Sequence, residues 1–186
     1  SMYVVRNFFL QKDNPDFATA RLLIDKMIES QPNNNALKTL QQTVRNHTPI
    51  AHNSSVPKFA AYDINGKQVN NAMLAKADTA VVIAWATWNY NSVSMLQTVA
   101  QIQKEKGSKM KVLGVCLDYS RSLCRTALRQ RDMNDIPTVC DGKAVDGDVY
   151  NRLGMSNLPD NIVIEKGKVT ATGLTLEQLR KKLGKE

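Results

Sequence analysis

The chain has 186 residues, of which 42% are hydrophobic and 23% charged, and carries a formal net charge of +8 at neutral pH. This composition supports one packed domain of ordinary size with a small extension and excludes a disordered chain. No run approaches the ~18–20 apolar residues that a membrane span needs, and the opening SMYVVRNFFLQK is too short and too polar for an intact secretory signal. Ser1-Met2 reads as a cloning remnant.

The positive charge is spread along the chain: residues 1–55 hold six basic and four acidic side chains, and residues 56–186 hold nineteen and thirteen. Arg121, Arg125 and Arg129 fall on one helix face. No nucleic-acid-binding motif or aromatic interleaving accompanies them, so a solvated surface is expected and no specific nucleic-acid contact. There are three cysteines, Cys116, Cys124 and Cys140. None forms a C-x-x-C pair, which removes zinc-ribbon and dithiol motifs.

In chain order, residues 14–46 read as a helical hairpin. Asn14 is placed to cap the first helix with Pro15 at its first position, and Phe17, Ala20, Ile24, Met27 and Ile28 form its apolar stripe. Gln31–Asn35 is a turn cluster, and Leu37, Leu40 and Val44 line a second helix. Residues 47–56 are a linker by composition. Its histidines, His47 and His52, have no cysteine or carboxylate partner in phase and make a poor metal site. The expected division is therefore 1–55, helical extension and linker, and 56–186, main domain.

The main domain opens with a short strand, Phe59–Tyr62, and a tight hairpin at Asn65-Gly66 from which Val69 returns. Val81–Trp85 is a run of apolar and β-branched residues, the pattern of a strand buried on both faces. It breaks at Thr87–Ser92 into a helix reaching Lys106. Met110–Leu117 is a second buried strand, so the two strands and the helix between them form a right-handed parallel βαβ unit. A helix over Arg121–Arg131, a short strand at Thr138–Cys140 and a short helix at Asp148–Leu153 follow. Ile162–Glu165 and Val169–Thr172 form an antiparallel hairpin. Thr175 and Gln178 make a capping box for the last helix, and Leu174 with Leu179 a hydrophobic staple.

The segment WATWNYNS, at a strand-to-helix turn, resembles the active-site motif WATWCxxC of the TlpA/ResA-like thiol-disulfide oxidoreductases of the thioredoxin superfamily. PKFAAYDINGKQV is similar to the opening of that group and of the alkyl-hydroperoxide-reductase/thiol-specific-antioxidant domains. Gly154 to Pro159, followed by Asn161–Glu165 and Gly167-Lys168-Val169, resembles the group's proline-loop segment. The resemblance covers residues 57–183. It implies an α/β thioredoxin-like fold, a central mixed sheet with helices on both faces, here preceded by the helical hairpin. It also implies a cis bond before Pro159, with that loop facing the turn, and a place in the bacterial periplasm or cell envelope.

The chemistry of that family does not carry over. Thiol-disulfide exchange needs a thiolate at the helix N-terminus and a second thiol to resolve the mixed disulfide. Here these positions hold Asn89 and Ser92, so no catalytic residue is assigned. Asn and Ser are good helix caps. The resemblance instead implies a degenerate binding or structural module without dithiol exchange, whose partner, if it binds one, is a protein or peptide at the former active-site cleft. Trp88, Asn89, Tyr90, Asn91, Ser92, Leu158 and Pro159 would line that cleft, with Trp85 in the core. The alternative is a redox protein using Cys140, the most accessible cysteine on this reading, possibly with Cys124, while Cys116 is buried in its strand. No cofactor or metal is expected.

Overall fold

The computed structural model describes residues 2–10, 17–46 and 50–184. Asn14, Pro15 and His47, singled out above, lie outside the described residues. The chain divides into two compact units, 1–49 and 50–186.

In the first unit, α1 (Met2–Val5) runs into a π-helical stretch, Arg6–Leu10, which the sequence reading did not anticipate. The helices α2 (Phe17–Ser30) and α3 (Asn35–Asn46) form the expected hairpin. Asn34 starts α3, its Oδ1 accepting the backbone N–H groups of Ala36 and Leu37 at 3.1 and 3.2 Å. Val5, Ala20, Ile24, Leu40 and Val44 cluster with Met27 and Ile28 packed against them. These are the i, i+3, i+4 positions that make a helix amphipathic.

The second unit is built on two sheets. β1 (Ala60–Tyr62) and β2 (Gln68–Asn70) are the antiparallel hairpin read from Asn65-Gly66. Gly66 sits at φ +82°, a conformation that suits glycine. Buried Asp63 closes the turn, Oδ1 accepting from the Asn65 and Lys67 N–H groups at 2.9 and 2.8 Å. A short helix, α4 (Asn71–Ala75), follows, capped by Asn70 through the Met73 N–H; it was not expected.

The main sheet has the order β5-β4-β3-β6-β7. β3 (Thr79–Trp85) lies parallel to β4 (Met110–Cys116), which lies parallel to β5 (Thr138–Val139). On its other side β3 pairs antiparallel with β6 (Asp160–Glu165), and β6 with β7 (Lys168–Thr172). The mixed sheet is thus as the resemblance implied.

The period-two alternation of β3 divides the core. Val81, Ile83 and Trp85 pack with apolar residues of α5 (Tyr90–Lys106), α6 (Arg121–Gln130) and α8 (Leu176–Lys182). Ala80, Val82 and Ala84 pack on the opposite face with Leu74 of α4 and with Val149 and Tyr150 of α7 (Asp148–Arg152). Helices therefore cover both faces. The capping box at Thr175–Gln178 is present. Among the described residues no helix is long and apolar enough to cross a membrane.

Candidate functional site

β3, β4 and β5 are mutually parallel and end on one edge of the sheet, where the strand-to-helix turn lies. Trp85 is fully buried and belongs to the core, as its place in the strand suggested. Beyond it the chain turns through Thr87 and Trp88, and Asn89 caps α5 with extended backbone (φ −108°, ψ 101°). Its Oδ1 accepts the Ser92 N–H at 2.8 Å, and its own N–H donates to the Ala86 carbonyl at 3.1 Å. Ser92 is fully buried. Its Oγ accepts the Ala86 N–H at 3.1 Å and donates to the Asn89 carbonyl at 2.8 Å, with the Ala86 carbonyl at 3.3 Å as the alternative acceptor.

The Leu158–Pro159 bond is cis and its loop faces the turn, with Asn89 Nδ2 donating to the Leu158 carbonyl at 3.5 Å. Asp160 secures this loop. Its Oδ2 accepts the N–H groups of Ser156 and Asn157 at 2.9 and 3.3 Å, and its Oδ1 that of Asn161 at 2.8 Å. Burial pushes the Asp160 carboxyl above its usual range, against the pull of those three donors. Burial likewise raises the Tyr150 hydroxyl, which donates to the Asn157 carbonyl at 3.2 Å.

Trp88 and Tyr90 stand out from the turn, 70% and 84% exposed. Beside them Asn91, Met95, Asn157, Pro159, Leu174 and Leu176 line a groove of about 390 Å³. Of the residues named from the sequence, Asn91 and Pro159 line this groove and Asn89 reaches the Leu158 carbonyl, while Trp88 and Tyr90 are exposed outside it, Leu158 is half-buried and Ser92 is turned inward.

The sequence reading missed the support beneath this turn. Asp118, read only as part of a turn after β4, is buried. Its carboxylate accepts the Thr87 N–H at 3.1 Å and the Thr87 hydroxyl at 3.1 Å. A carboxylate two residues beyond an almost wholly apolar strand is the signal that could have found it. Nor was Cys140 placed correctly: it is 2% exposed, packed with α6, its thiol donating to the Asp118 backbone carbonyl at 3.4 Å. The redox alternative relied on an accessible Cys140, and that premise is corrected here. Cys116 and Cys124 are buried as expected, and all three thiols are free. Cys116 is pushed above the thiol range by the Cys124 and Cys140 thiols and by burial.

The arginine face is partly committed to structure: Arg121 donates to the Asp63 carbonyl at 3.4 Å, and Arg125 to that of Ile64 at 2.5 Å. These contacts tie α6 to the β1–β2 turn.

A fold with this sheet order, turn and proline loop is thioredoxin-like, of the kind found in thiol-disulfide oxidoreductases. Solved structures agree. The chain is similar to the C-terminal domain of a putative thiol-disulfide oxidoreductase from Bacteroides thetaiotaomicron, with a TM-score of 0.61 and 23% identity over 72% of this chain and 93% of that one. It is similar to a thiol-disulfide oxidoreductase from Bacteroides fragilis, with a TM-score of 0.61 and 23% identity over 70% and 97%. A secreted disulfide oxidoreductase from Mycobacterium tuberculosis matches with a TM-score of 0.57 and 14% identity over 67% and 93%. No protein-family model matches the chain, and no curated protein sequence matches it.

Proposed function

We propose that this protein is a degenerate TlpA-like member of the thioredoxin superfamily, a binding or structural module of the bacterial cell envelope without dithiol exchange. The observation that carries this reading is the use made of Asn89 and Ser92. Both spend their polar groups on the start of α5, Asn89 Oδ1 on the Ser92 N–H and Ser92 Oγ on Ala86 and Asn89. Neither side chain can attack or resolve a disulfide. The helix start is kept and the sulfur chemistry is not.

The cleft keeps what recognition needs. Trp88 and Tyr90 are exposed large aromatics beside an apolar-floored groove, features of a surface that binds another chain. Its occupant in this reading is a protein or an extended peptide. A place outside the cytoplasm is supported by the fold likeness to a protein described as secreted.

The test is insulin-disulfide reduction by the native chain and by an Asn89→Cys/Ser92→Cys variant. The native chain is expected to stay at background. The double variant is expected to gain activity, since the helix N-terminus that lowers a thiol pKa is intact. Native activity that disappears on replacing Cys140 or Cys124 would overturn the reading.

A further inference from the structure

Beneath the cleft lies a group of side chains that peptide binding does not use. Cys116 ends β4, Cys124 is on α6 and Cys140 follows β5, yet their sulfurs all lie within 4.8 Å of one another. The three are 3%, 0% and 2% exposed. A buried cysteine alone behaves as a small hydrophobe. Apolar filling does not account for the group, because a buried carboxylate adjoins it: Cys116 Sγ donates to Asp118 Oδ2 at 3.3 Å. Three sulfurs, delivered by separate elements of the sheet and a helix, are the donor set of a thiolate metal site, and the Asp118 carboxylate lies against one of them.

The dimensions agree. A zinc–sulfur bond of about 2.3 Å in a tetrahedron places its sulfurs about 3.8 Å apart. From separations within 4.8 Å, closing around an ion needs shifts of about 1 Å. Thiolates select zinc(II) and copper(I) over the harder cations. We propose that Cys116, Cys124 and Cys140 form a binding site for a thiophilic closed-shell cation, zinc(II) or copper(I), with Asp118 the oxygen donor that completes a zinc site. On binding, each sulfur releases its proton to solvent and forms a sulfur–metal bond; no electrons move and no oxidant is consumed. Asp118 also accepts from Thr87, so the ion adjoins the support of the cleft's turn. The proposal does not depend on what the cleft binds.

The test uses the full chain, reduced and freed of metal, titrated anaerobically with zinc(II), with copper(I), and with cobalt(II) as a spectroscopic probe. Native chain is expected to take up one ion, protect its thiols from alkylation, release one proton per sulfur and show sulfur-to-cobalt charge-transfer absorption. Cys124→Ser is expected to weaken uptake by about 100-fold or more. Asp118→Asn is expected to weaken zinc about 10-fold or more and to leave copper(I) unchanged, which distinguishes the two ions. Failure of the folded, reduced native chain to take up either ion stoichiometrically overturns the proposal. So does uptake indifferent to Cys124→Ser in a folded variant. Because native uptake is read directly, a variant that does not fold leaves the proposal decidable.

Discussion

Ser92 stands where the C-x-x-C motif that WATWNYNS resembles would place its second cysteine, and its hydroxyl is a structural group. Fully buried, it accepts the Ala86 N–H and donates to the Asn89 carbonyl. Ser92→Ala removes both bonds and leaves a buried N–H without its acceptor, at an expected cost of about 1–3 kcal/mol. Urea unfolding measures it, and a loss below about 0.5 kcal/mol would mean that the turn relaxes to recover those bonds. At this scale the sequence was readable wherever a residue acts through its neighbours in the chain: Asn89 as cap, Thr175 with Gln178, Asn65-Gly66 as turn. It was not readable where residues distant in the chain meet. Cys140 follows a two-residue strand at the sheet edge and reads as accessible, but packing with α6 and the Asp118 loop covers it. Nothing in the spacing of positions 116, 124 and 140 announces that three sulfurs share one point.

At the scale of elements, the legible parts were those with a strong period or a strong stop. β3, α5 and β4 were expected within a few residues of their observed bounds because an unbroken apolar run and a helical stripe alternate there. α1 and α4, four and five residues long, were missed: they are too short to display a period, and no stop such as the Gly154 that follows α7 marks them. The seam between β4 and β5 shows what register adds. Gly114 pairs with Thr138, and a Cβ at Gly114 would lie 2.7 Å from Thr138 Oγ1 and 3.1 Å from Trp85 Nε1. Thr138 is held by its bond to the Ile136 carbonyl, and Trp85 is fully buried, its indole N–H without a hydrogen-bond partner. Neither neighbour has room to retreat in a packed interior. Gly114→Ala is therefore expected to destabilise by about 1–3 kcal/mol through overpacking. An unchanged urea midpoint would contradict this. The glycine is kept for closeness, since no positive φ requires it.

For the whole molecule, the distribution of buried residues sets an expectation about folding. Within residues 50–186 two core clusters share one five-stranded sheet, each with strand and helix contributions, and every element of the cleft and of the sulfur group is included. Among the described residues of 1–49 one apolar cluster is found, with five buried members on short helices. Helices of 14 and 12 residues are marginal alone, and so small a core does not offset the entropy of ordering them. A chain of residues 50–186 is expected to unfold in urea as one cooperative transition with native near-ultraviolet dichroism, whereas residues 1–49 alone show weak, non-cooperative helicity. A fragment 50–186 with helical far-ultraviolet signal but no fixed aromatic environment would contradict this, because that is the signature of a collapsed chain without specific packing. The indole of Trp85 makes the reading direct. It is enclosed by the cluster that unites β3, β4 and α6, so its dichroism disappears if that face of the sheet fails to pack. The same face carries Cys116, Cys124 and Cys140, and a fragment that keeps the Trp85 signal keeps the packing that gathers those sulfurs.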